Sequence, residues 1–202
     1  MSLNRSFYSF AVFLSALHGV IILIHAIVYF LIGRQIYSLS IFFPWYFFYS
    51  VLSILTSLVF LNYFYFKNYR LAFWAASVSL SAGLFQLVTF FGAFIDAVVW
   101  MNMYLTAQLV SLSTTILFGL ALIFSDAGKR YWLKLTGIFF VIVGLVLMTA
   151  SVWYLNSTAI DKLSILDQYL KWSSLLSCIA PIMIMMNFLD EQKQLRPGHE
   201  SS

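Results

Sequence analysis

Six stretches of this chain contain no Asp, Glu, Lys or Arg: Phe7–Gly33, Ile41–Phe66, Leu71–Ile95, Ala97–Phe124, Leu135–Leu155 and Trp172–Leu189. About 20 apolar residues wound as a helix cross the hydrocarbon core of a bilayer, and each stretch approaches or exceeds that length. Inside hydrocarbon every backbone N–H and C=O must find a partner within the protein, and a helix supplies those partners from its own segment. The expected fold is therefore all-α, a polytopic bundle of six membrane-spanning helices joined by short loops. Composition agrees. Only 9% of the 202 residues are charged and 62% are hydrophobic, whereas a soluble domain carries roughly 25% charged residues to meet water. The spans form one domain over 1–189, followed by a short disordered cytoplasmic tail over 190–202 that is too small to fold alone. The first stretch is too long for a signal-peptide core and no small-residue cleavage site follows it, so it is expected to stay as a signal-anchor.

Orientation follows from the basic residues. With six spans, Arg5, Lys67, Arg70, Lys129, Arg130, Lys134, Lys193 and Arg196 fall on one side, and Arg34, Lys162 and Lys171 on the other. In short loops the lysine- and arginine-rich side stays in the cytoplasm, which places both termini there, in the plasma (inner) membrane if the source is bacterial. Trp45, Trp74, Trp100, Trp132, Trp153 and Trp172 all fall near span ends, where an indole can bury its ring and still hydrogen-bond its N–H.

The connections carry their own signals. Asp96 alone separates the third and fourth stretches. A hairpin is not expected to turn in one residue, so Gly92 to Asn102 is assigned to that connection. In Asn156–Lys171, Ile160, Leu163, Leu166 and Leu170 recur at helical spacing, and Thr158 followed by Asp161 resembles a capping box. This pattern predicts a short amphipathic helix on the outer membrane surface before the last span. Pro44 lies in the first turn of the second span, where proline is tolerated. Pro181 is central to the last span and is expected to kink it by freeing the Ser177 carbonyl.

Helix–helix contacts in membranes favour small residues, and three spans show stripes of them. Ala11, Ser15, His18, Ile22 and His25 share a face of the first; Ala72, Ala75, Ser79, Gly83 and Gln86 of the third; Tyr104, Gln108, Ser111, Thr115 and Gly119 of the fourth. At 1.5 Å per residue, His25, Gln86 and Gln108 each lie roughly 7–10 Å outward of their span's middle. They define a candidate polar layer in the outer leaflet, with His18 deeper on the same face as His25, Asp96 and Asn102 above it, and Ser50 and Ser151 able to join. Two readings compete. Interhelical hydrogen bonds between such groups hold bundles together at about 0.6 kcal/mol each; alternatively, the layer is an outward pocket that binds a small ligand or senses pH through a histidine.

Most catalytic chemistry lacks its parts. His18 and His25 lie on one helix face and cannot clamp a single haem iron, and no carboxylate sits in a span core to pair with another or to hold zinc. The lone Cys178 permits no disulfide framework or thiolate cluster. Net charge is +4 with no basic stripe, which argues against nucleic acid. No cofactor and no metal are expected. The expected partners are membrane lipids, with a partner membrane protein or a homo-oligomer as a further expectation. The leading expectation is a non-enzymatic accessory or assembly subunit, or a sensor. A small-solute transporter or channel and a lipid-modifying enzyme are the alternatives.

Overall fold

A computed structural model describes residues 3–155, 171–172 and 174–195. Six long helices are present: α1 (Arg5–Ile32), α2 (Phe42–Phe66), α3 (Arg70–Ile95), α4 (Ala97–Phe124), α5 (Tyr131–Leu155) and α6 (Ile179–Gln194). Each lies in a segment long and apolar enough to cross a membrane, and no strand occurs among the described residues. The protein is an integral, multi-pass membrane protein built as an all-α bundle. The expected amphipathic helix over 156–171 and the tail from 196 onward lie outside the described residues, apart from Lys171.

Local chemistry sets the helix ends. The Asn4 side chain accepts the Phe7 N–H at 2.9 Å and starts α1, and Gly33 at φ 56° ends it. Pro44 falls within the first turn of α2, as its position in the sequence predicts. The α2–α3 turn is a Schellman motif. Asn68 adopts φ 60°, its N–H reaches the Tyr65 carbonyl at 3.1 Å, and the Tyr69 N–H reaches the Phe64 carbonyl at 2.9 Å. The Tyr69 and Phe64 rings, 6.4 Å apart, complete it with its usual apolar contact.

Two boundaries differ from the sequence reading. Only Asp96 interrupts the helices between α3 and α4, so the connection is not the Gly92–Asn102 loop expected. Asp96 is extended (φ −144°, ψ 93°), and its carboxylate accepts the Val99 N–H at 3.3 Å as an N-cap. One extended residue whose side chain caps the next helix is enough to turn the chain. At the other end of the chain, α6 continues through Asp190 to Gln194, residues assigned to the tail from sequence. Pro181 acts as expected. The helix is interrupted at Ser177 and Cys178, and Pro181 sits in the first turn of the segment that restarts at Ile179.

The helices pack in chain order, each against the next, and α6 returns to α1 to close the cycle. Small residues allow a close crossing of α4 and α5. A Cβ added to Gly119 would lie 2.7 Å from the Gly137 carbonyl oxygen, and one added to Gly137 would lie 2.6 Å from that of Gly119. The ridge of Ser111, Thr115 and Gly119 thus ends at a glycine-to-glycine contact between α4 and α5. On α1 the face carrying Ala11, Ser15, His18 and Ile22 is buried as the stripe predicts, and Gly19 faces Pro181 of α6.

Gly137→Val is expected to lower stability by about 1–3 kcal/mol, the usual cost of forcing atoms into a packed contact. Gly83→Ala, whose added Cβ meets nothing within 4 Å, is expected to change it little. Thermal unfolding in detergent micelles measures both; equal melting temperatures for the two variants would contradict the crossing.

Candidate ligand pocket

Inside the cycle of helices, α2, α3 and α4 leave a pocket of about 410 Å³. From α2 come Tyr46, Tyr49, Ser50, Ser53 and Ser57; from α3, Ser79, Gly83 and Gln86; from α4, Ser111 and Thr115. The pocket exists because small residues face one another across it, most plainly Gly83. No charged residue lines it.

The hydroxyl groups have a common geometry. Ser50 donates to the Tyr46 carbonyl at 2.8 Å, Ser57 to that of Ser53 at 2.9 Å, and Thr115 to that of Ser111 at 2.8 Å. Each hydroxyl uses its proton on its own helix and keeps its lone pairs for the pocket. At these three positions the wall offers acceptors, while the hydroxyls of Tyr49, Ser53, Ser79 and Ser111 and the Gln86 amide can donate as well as accept. Such a surface matches a ligand that is uncharged and carries O–H or N–H groups. A full charge would find no counter-charge there.

Phe60, Phe118 and Phe140 form the floor toward the end of the bundle that carries most basic residues. Phe60 and Phe118 stand edge to face at 6.3 Å, and Phe118 and Phe140 lie 5.6 Å apart. Behind them Phe64, Leu122, Leu133 and Phe188 are fully buried and continue a single apolar plug. The pocket is closed at that end by packed rings.

His18 and His25 adjoin the pocket through Tyr49. Both imidazoles lie 5.9 Å from the Tyr49 ring, and His25 stacks on it nearly parallel at 15°. His18 is 8% exposed, yet neither of its ring nitrogens has a hydrogen-bond partner among the described residues, and Nδ1 of His25 has none either. Buried polar atoms are seldom left so, and three of them beside a polar pocket mark this wall as a place for water or ligand atoms. Of the sequence-derived layer, Gln86 thus lines the pocket, and His18 and His25 stand against its Tyr49 wall. Gln108 turns to α5 instead and donates to Ser151 at 3.4 Å. Asp96 lies at the α3–α4 turn, where it caps a helix.

The sequence reading missed two features. On α2, Ser50, Ser53 and Ser57 repeat at spacings of three and four, a stripe that reading the helical period through that span would have exposed. The second is Glu191, 4% exposed at the basic end. Its carboxylate accepts from Lys67 at 2.6 Å, Tyr63 at 3.1 Å and Tyr8 at 3.4 Å, and pairs with Arg130 at 3.1 Å. One buried anion thereby ties α1, α2, α6 and the residue preceding α5. Nearby, Trp132 donates to Asp190 at 2.8 Å. The signal was present: Ile184, Asn187, Phe188 and Glu191 continue one buried face at helical spacing, but the charge ended the apolar stretch at Leu189.

Compared with known proteins, the chain matches no family profile, no curated protein and no solved structure. Among the described residues, no three His, Cys, Asp or Glu side chains come together in a way that could hold a metal ion.

Removing the buried anion takes away the acceptor shared by Lys67, Tyr63, Tyr8 and Arg130, although Arg130 keeps its bond to Gln194 at 3.3 Å. Because Lys67 and Arg130 are themselves about a third exposed, Glu191→Ala is expected to cost about 1–3 kcal/mol, the range for hydrogen bonds to a charged group. Chemical or thermal unfolding measures the loss; an unchanged midpoint would contradict a clamping role.

Proposed function

We propose that the protein is a non-enzymatic membrane protein that binds a small, uncharged, hydroxyl- or amide-bearing ligand in this pocket and acts as a sensor or accessory subunit. The observation that carries the reading is the hydroxyl-rich, charge-free wall of a pocket of about 410 Å³, within the usual range for small-molecule sites, roughly 300–1,000 Å³. The excess of Lys and Arg at the plugged end supports a topology with both ends of this chain in the cytoplasm. The pocket would then be reached from outside, through the wall formed by Tyr46, Tyr49, His25 and Gln86. In a bacterium the corresponding membrane would be the inner one.

A small-solute transporter is the second reading. It is favoured by the Glu191 clamp, because ion pairs at the closed end are breakable contacts of the kind that an alternating gate uses. A sensor would keep that end shut, and a transporter would open it.

Cysteine accessibility tests both. In a Cys178→Ala background, Ser53→Cys and Gly83→Cys are expected to react with a membrane-impermeant maleimide added outside, whereas Val78→Cys, on the lipid face, stays inert. Labelling of the pocket positions from the cytoplasmic side as well favours transport. Inert pocket positions, or labelling from the cytoplasm alone, would overturn the proposal.

A further inference from the structure

The α3–α4 hairpin has a second concave side, facing away from the polar pocket. There Leu71, Trp74, Ala75, Leu117 and Ala121 border an apolar groove of about 420 Å³ that ends at Phe124. At the basic end it meets a polar cavity of about 500 Å³, which includes Asn68, Arg70, Ser125, Asp126 and Lys129. The two cavities share Leu71 and Phe124, so they adjoin. Their characters are opposite: the first is lined almost wholly by hydrocarbon, the second by groups from the α2–α3 turn and the α4–α5 connection.

We propose that this combined site holds one anionic phospholipid, with an acyl chain in the groove and its phosphate in the polar cavity between Arg70 and Lys129. Geometry and charge argue for that occupant. The groove runs along two membrane-spanning helices and stops at their ends, where the headgroup layer begins. The exposed Trp74 marks that depth, since indoles settle at the interface. Two cations and one carboxylate face the cavity, a net charge of +1, which suits a phosphodiester of charge −1 better than a zwitterion. The first turn of α3 opens at the same place and adds the positive end of its dipole.

Asp126 is the counterweight. It pairs with Lys129 at 2.8 Å, and both side chains are mostly exposed, so an arriving phosphate competes with an exposed carboxylate for one ammonium. Hydrogen bonding to Asp126 holds the Lys129 ammonium above its usual range, and it stays charged near neutral pH. Removing the carboxylate should therefore strengthen the site.

Native mass spectrometry of the whole protein, taken from micelles supplied with equal amounts of dioleoyl phosphatidylglycerol and dioleoyl phosphatidylcholine, tests the site. One phosphatidylglycerol is expected to stay bound in preference. Retention should fall roughly fivefold for each cation removed in Arg70→Ala and Lys129→Ala, the effect of about 1 kcal/mol per basic residue near an anionic surface. Asp126→Asn should raise it. Lys134→Ala, at the same end but outside the cavity, should leave it unchanged, which separates a site from general attraction. Ala121→Phe, which fills the groove, should expel the lipid, and circular dichroism confirms that each variant is folded. Equal retention of the two lipids, an equal loss in Lys134→Ala, or displacement by millimolar inorganic phosphate with Ala121→Phe behaving as wild type, would overturn the proposal. The last outcome would mean a headgroup-sized anion site without an acyl chain.

Discussion

Within the membrane-spanning part of this protein, backbone polar groups must find partners without help from the surrounding lipid. Lipid tails neither donate nor accept hydrogen bonds, which is why each span is a helix. The same rule acts on side chains. Hydroxyls on α2, α3 and α4 turn inward or bond back to their own carbonyls, and the apolar residues that lipid tolerates face outward. Association of the helices gains little from hydrophobicity, because lipid is as apolar as leucine. Close backbone approach at Gly119 and Gly137, the plug of aromatic rings, and the Glu191 clamp do that work instead.

These elements divide the molecule into two ends with different character. At the basic end, bulky rings interlock and a buried carboxylate on α6 collects contacts from three other segments, so that end is dense and tied. Between that plug and a second aromatic cluster around Phe42, Tyr46 and Phe90 at the other end, serine, threonine and glycine take the place of large rings, and the helices leave space between them. The pocket is a consequence of that local drop in side-chain size. His18 and His25 border it with nitrogens that no described residue satisfies, as expected where protein gives way to something else that can hydrogen-bond.

Much of the architecture was legible in the sequence, because the physics behind it is one-dimensional. Long charge-free stretches specify spans, Pro181 specifies the break in the last of them, and the spacing of Ser111, Thr115 and Gly119 specifies a packing ridge. What was not legible depends on which helices become neighbours. Stripe and depth together group Gln108 with His25 and Gln86, yet rotation about the α4 axis gives it to Ser151, a residue the same layer could include. Asp96 looked too short a connection because its capacity to cap α4 was not considered. Glu191 was assigned to the tail by its charge, although its helical register placed it on a buried face. Depth and polarity can be read along a chain; azimuth and partners require the packed bundle.

The central claim is that a polar pocket lies within the bilayer-embedded bundle and is wet, while the plug beneath it is dry. Water-edited solid-state NMR of the protein in liposomes tests this directly. Magnetisation from water should build up rapidly on Ser53, Ser57, Ser79 and Thr115 and slowly on Phe64, Leu122 and Phe188. Equally slow transfer to both groups would mean that the serine-lined space is sealed packing, and the account of the pocket would be wrong.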